Sequence, residues 1–91
     1  MQSFKEKVYD IVRKIPIGKT LSYSEVAKRA ENPKAFRTVG NILHNSPSDV
    51  PCHRVISKSG KLAVNFGKGG IEKQREFLEK EGILIKNDKI I

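Results

Sequence analysis

Cysteine occurs once in these 91 residues, at position 52. A lone cysteine excludes an internal disulfide, so the fold must rest on packing, and a free thiol suits a reducing compartment such as the cytoplasm. Histidine occurs only twice. Cys52, His53 and His44 offer at most three metal ligands without paired spacing, so no metal is expected. No run approaches the roughly 18 apolar residues of a membrane span. Glu6 and Asp10 stand inside a helical pattern at the N-terminus, which does not fit a signal peptide. Repeats, low-complexity tracts and linkers are lacking, so residues 1–91 are expected to form one small domain. Acidic residues are scarce: 10 Asp and Glu stand against 18 Lys and Arg, a net charge of +8. That balance suits either a polyanionic partner or a merely solvated, lysine-rich surface.

What is present is periodic. Phe4, Val8, Ile11, Val12 and Ile15 recur at helical spacing, which predicts an amphipathic helix over residues 3–15, stopped by Pro16. Ser22 and Glu25 have the spacing of a capping box, so a second helix is expected from Tyr23 to Ala30. Asn32-Pro33 breaks the chain, and Pro33 suits the first position of a third helix over about 34–44. There Ala35, Val39, Ile42 and Leu43 fall on one stripe, and Lys34, Arg37, Asn41 and His44 cluster opposite. Two short helices, a tight turn and a polar-faced third element read as a helix-turn-helix. An ordinary surface helix with a basic outer face has the same pattern.

Asn45 to Pro51 reads as a loop. Val55-Ile56 and Leu62-Ala63-Val64 look like short strands around a turn at Ser57–Gly60, and Gly67 to Gly70 is a glycine-rich loop. A last helix is expected over Ile71–Glu81, with Gly82 as its C-cap. Residues 83–86 and 89–91 are expected to pair as a hairpin over Asn87-Asp88. The fold class is therefore mainly α with a small β element, a winged-helix-like helix-turn-helix domain.

Pro51-Cys52-His53 is the chemical centre of the chain. A thiol beside an imidazole can be held partly as thiolate, the nucleophilic form. A lone cysteine is equally at home as an inert buried packer. In the last helix Ile71, Phe77 and Leu78 face inward, and by its angle Glu81 falls with them. A carboxylate there needs a partner. His53 would make a carboxylate–imidazole–thiol relay. A solvent lysine at a frayed helix end is the alternative.

The motifs together resemble the C-terminal, DNA-binding and active-site domain of O6-alkylguanine-DNA alkyltransferases. Pro51-Cys52-His53-Arg54-Val55 is identical to that family's signature. Around it stand Ile15-Pro16-Ile17-Gly18-Lys19, Ser22-Tyr23, Asn32-Pro33-Lys34-Ala35-Phe36-Arg37-Thr38-Val39-Gly40 and Glu81-Gly82, in the family's order. The family's larger N-terminal domain has no counterpart in these residues.

The resemblance implies a partner, double-stranded DNA containing O6-alkylguanine, and a set of roles. Cys52 would take the alkyl group irreversibly in a single turnover, with no cofactor. His53 and Glu81 would activate it through a water. Asn45 would be the hinge that holds the site in register. Tyr23 would help turn the nucleotide and protonate the leaving guanine, and Arg37 would fill the gap left by the flipped base. Lys34, Gly40, Asn41 and His44 belong to the DNA-facing side, with Gly40 allowing close approach. Pro51, Val55 and Phe66 would line the base pocket. A monomer is enough for this chemistry. Two departures stand out: the loop Asn45–Pro51 lacks the family's apolar run, and Phe66 replaces a Gly-Tyr segment. Both features point toward alkyltransferase-like proteins, which bind the lesion without repair and hand it to excision-repair proteins. Those proteins carry Trp or Ala at the cysteine position, so Cys52 favours transfer. A small transcription factor with an incidental cysteine would leave the segment around Cys52 without a purpose.

Overall fold

Three short helices make the larger half of the core. The computed structural model describes residues 3–47, 49–62 and 70–91. The first helix, α1, runs over Phe4–Arg13, with the Ser3 side chain accepting from the Glu6 N–H as N-cap. It stops before Ile15, which stays in the core beyond the helix end. The second, α2, runs over Tyr23–Arg29 with the expected box complete: the Ser22 hydroxyl accepts from the Glu25 N–H at 3.1 Å, and Glu25 Oε1 accepts from the Ser22 N–H at 3.0 Å.

The third helix, α3, covers Phe36–His44. It begins two residues later than the periodicity suggests. Asn32 to Ala35 closes a turn, with the Ala35 N–H donating to Asn32 O at 3.0 Å. Pro33 therefore serves that turn, where its fixed φ is equally at home, and not the helix start. Lys34 lies exposed in the turn, outside the helix. Val39 and Leu43 are buried and Ile42 half-buried, whereas Arg37, Asn41 and His44 are exposed, as the stripe requires.

The strand pairing adds a partner that the sequence does not show. Val55–Ile56, here β2, pairs in parallel with Leu21–Ser22, here β1, in the register Leu21 with Val55 and Ser22 with Ile56. The first strand is hidden from sequence inspection because two residues, one of them the cap of α2, carry no period of their own. Leu62 turns to the far end of the chain, its N–H donating to Asp88 O at 2.8 Å. Ala63 and Val64 lie outside the described residues, as do Gly67 to Gly69.

The fourth helix, α4, runs over Gly70–Lys80. Gly70 starts it with φ 75°, and Glu81 sits just past its end. Gly82, with φ 86°, closes the helix in a Schellman motif: the Ile83 N–H donates to Leu78 O and the Gly82 N–H to Glu79 O. Ile85–Lys86 and Lys89–Ile90 are β3 and β4, an antiparallel hairpin with Asn87 and Asp88 both at positive φ. Two positive-φ residues make the type I′ turn that matches strand twist.

One apolar cluster joins α1, α2, α3 and β2 and includes Val8, Val12, Val26, Val39, Leu43, Val50 and Cys52. A smaller one gathers Ile56, Leu62 and Leu78 under the hairpin. Between them a 3-10 turn, Cys52–Arg54, follows Pro51 directly. Val50 is only 2% exposed, so the loop before the turn is pinned into the core on its own apolar residue. The architecture is thus mainly helical with two small sheets, and α2 and α3 form a helix-turn-helix.

Candidate active site

The turn Cys52–Arg54 presents three side chains in succession, and two of them meet on one carboxylate. Glu81 Oε2 lies 2.6 Å from His53 Nε2. Arg54 binds the same carboxylate in bidentate fashion, with Nε donating to Oε1 and Nη2 to Oε2, both at 2.9 Å. Arg54 Nη1 donates to Ile15 O at 2.9 Å, and the Gly18 N–H donates to Glu81 Oε1 at 3.4 Å. The side chains of His53, Arg54 and Glu81 are 17%, 14% and 13% exposed. Charges this sheltered need each other, because a partner removed leaves a costly unpaired group.

The electrostatics fix the proton. Hydrogen bonds from Arg54 pull the Glu81 carboxyl down to about 2, against the opposing effect of burial, with His53 and Gly18 adding to the pull. At neutral pH Glu81 only accepts, so His53 must carry its hydrogen on Nε2. In neutral imidazole that leaves Nδ1 as the basic nitrogen.

Two further contacts set the turn. Gln74 is fully buried on α4 and donates from Nε2 to both His53 O at 3.1 Å and Val55 O at 2.9 Å. The Phe77 ring stands 5.4 Å from the His53 ring, tilted by 59°. One helix therefore holds the backbone of the turn through Gln74 and the imidazole face through Phe77.

Cys52 is 6% exposed. Burial alone also fits an inert thiol; its company is what distinguishes it. Burial first, and the charge of a thiolate at Cys52 second, push the Tyr23 phenol up to about 12. Tyr23 thus keeps its phenolic proton at neutral pH and can act as a hydrogen-bond donor. Its ring also lines a groove of about 410 Å³ with Phe36, Arg37, Gly40 and Asn41 of α3. Tyr23 thus stands on the recognition face of the helix-turn-helix.

Comparison with known proteins gives this geometry a family. The model of the 6-O-methylguanine DNA methyltransferase DNA-binding domain matches residues 3–83. The chain belongs to that family. A methylated-DNA–protein-cysteine methyltransferase of Methanosarcina mazei is 48% identical over 61 residues, 65% of this chain and 39% of that protein. Alkyltransferase-like protein 1 of Schizosaccharomyces pombe is 39% identical over 87 residues, 93% of this chain and 81% of that protein. The crystal structure of that yeast protein with damaged DNA containing O6-carboxymethylguanine superposes with a TM-score of 0.84 at 36% identity, covering 94% of this chain and 83% of that one. Mycobacterium tuberculosis OGT in complex with DNA gives 0.80 at 40% identity, covering 90% of this chain and 50% of that one. The chain thus spans about half or less of the methyltransferases and most of the alkyltransferase-like protein.

Within this family's domain the expected site residues fall into two groups. His53 and Glu81 meet directly, and Glu81 is not the frayed-end residue of the alternative reading. Tyr23, Arg37, Gly40 and Asn41 share the groove, while Lys34 and His44 lie exposed outside it. Asn45 stands where a hinge is expected, as C-cap of α3, but it is exposed. Among the described residues only its backbone N–H is engaged, with Ile42 O at 3.3 Å. Gln74 and Arg54 also tie down the turn that follows. Pro51 is half-buried beside Cys52, and Val55 is fully buried in the core with its carbonyl taken by Gln74. Phe66 lies outside the described residues.

Sequence reading missed Gln74 and Arg54. Gln74 carried a signal, since it falls between Ile71 and Leu78 on the inner stripe of α4. A polar residue there must find a buried partner. Arg54 was visible in the signature and as a positive charge beside His53, but not as the partner of Glu81. Its clamp on a residue 27 positions away is a property of the fold.

Proposed function

We propose that this domain binds duplex DNA, turns an O6-alkylguanine out of the stack and transfers the alkyl group to Cys52. The observation that carries this reading is the pairing of a carboxylate-oriented imidazole on the residue next to the thiol with a phenol, Tyr23, that shares a groove with Arg37 of the recognition helix. An O6 substituent is buried in the duplex, so the base must leave the stack at a cost of a few kcal/mol. Arg37 is exposed on α3, and on this reading it occupies the vacated space and offsets part of that cost.

The chemistry balances without a cofactor. His53 Nδ1 takes the thiol proton through a water, and Glu81 stabilises the imidazolium. The thiolate sulfur forms a bond to the alkyl carbon as the carbon–O6 bond breaks, and the electron pair passes to the purine. Tyr23 donates a hydrogen bond to the purine as charge builds there. The proton the guanine gains equals the one the thiol lost. The product is a thioether, so each chain acts once.

A second reading is supported by the coverage of the yeast alkyltransferase-like protein: a sensor that binds the lesion and passes it to excision-repair proteins. Cys52 itself favours transfer. The DNA decides between them. A duplex with one O6-methylguanine, mixed with an equal amount of protein and digested to nucleosides, should yield restored guanine, one per chain. Persistent O6-methylguanine under saturating binding would establish the sensor and overturn transfer.

A further inference from the structure

Phe36 is placed like a contact residue and unlike a core residue. It opens α3 immediately before Arg37 and is 43% exposed. Among the described residues it is the one exposed phenylalanine or tyrosine, and it packs against neither apolar cluster. Its ring lines the same groove as Tyr23, Arg37, Gly40 and Asn41. Gly40, one turn on, offers no side chain to cover it. No acidic residue occurs from Asn32 to Ser48, so nothing in this stretch repels a phosphate. An exposed ring beside an exposed guanidinium on a groove-facing helix is the composition of an intercalating wedge.

We propose that Phe36 is a second wedge, lying against the base step that Arg37 opens and covering the unstacked face of the neighbouring base. This rests on the DNA-binding reading above. It adds an apolar, salt-independent contribution to a site otherwise built on charge. Base–aromatic stacking lost to alanine typically weakens binding by about tenfold or more.

The test uses the Cys52→Ser chain, which binds without being consumed, and a duplex holding O6-methylguanine with 2-aminopurine at the adjacent step. Fluorescence anisotropy against salt gives affinity and its salt slope, and 2-aminopurine emission reports unstacking. Adding Phe36→Ala should weaken binding about tenfold with an unchanged slope and remove the emission rise; adding Phe36→Leu should recover part of the affinity. An unchanged melting midpoint would confirm that the alanine variant folds. Affinity and emission equal to the parent, or a loss that comes with a flatter salt slope, would overturn the wedge alone. A parent chain that does not prefer the lesion duplex would overturn the DNA reading as well.

Discussion

Glu81 is the residue on which the site turns. Its carboxyl is held near 2 against an ordinary value of 4.5, so the folded state binds its proton less readily than the unfolded chain. The stability this contributes is complete above about pH 4.5 and is lost as pH falls through about 2. Glu81→Gln should therefore cost about 1–3 kcal/mol at neutral pH and flatten the acid limb of the stability curve, read by urea unfolding across that range. An unchanged acid limb would mean that Arg54 and His53 do not hold the carboxylate. Gly40 separates folding from function in the opposite sense. A Cβ there would meet Tyr23 Cε1 at 3.8 Å, ordinary contact. Gly40→Ala should raise stability by about 0.5–1 kcal/mol, as alanine does within a helix. It should also weaken DNA binding, because the added methyl faces the groove. Binding at parental strength, measured by anisotropy, would remove Gly40 from the interface.

At the scale of elements, the C-terminal ends of α4 and α2 use one motif with different residues. Helix α4 ends on Gly82, whereas α2 ends with Glu31 at φ 68°, its N–H donating to Lys28 O and the Asn32 N–H to Ala27 O. A non-glycine residue in that conformation costs about 1 kcal/mol. The Lys7–Glu31 pair at 3.5 Å is too exposed to offset this. Glu31→Gly should stabilise the fold by about 0.5–1 kcal/mol in thermal unfolding, and a loss of stability would show that the pair outweighs the strain. These elements also mark what was legible in the sequence. The capping box at Ser22 and Glu25, the stripe of α3 and the Asn87-Asp88 hairpin are local, and each was readable. The parallel pairing of Leu21–Ser22 with Val55–Ile56 was not, since it joins residues far apart through two-residue strands without periodicity. The site divides in the same way. Cys52 with His53 was visible as a dipeptide, and Glu81 by its helical angle. The Arg54 clamp and the Gln74 bridge depend on where the chain returns. Asn45 was legible as the residue closing α3, whereas the hold that Gln74 takes on the turn was not.

For the whole molecule, the excess of 18 basic over 10 acidic residues surrounds a small, mainly helical domain whose recognition helix carries no acid. Phosphate contacts by lysine and arginine release counterions, so affinity should fall steeply with salt. For about four such contacts, raising salt from about 50 to about 200 mM should cost about a hundredfold in affinity. A flat dependence in the same titration would exclude an electrostatic duplex interface. On the proposed reading, binding, flipping and transfer would follow a single path through the molecule, from α3 past Tyr23 to Cys52, with Gln74 of α4 holding the turn from behind. Intact-mass spectrometry of the protein after mixing with a duplex containing one O6-methylguanine tests that path most directly. A gain of one methyl group per chain, mapped to Cys52 and absent in Cys52→Ser, is the result this account predicts. An unchanged mass on a chain that binds the lesion tightly would contradict it.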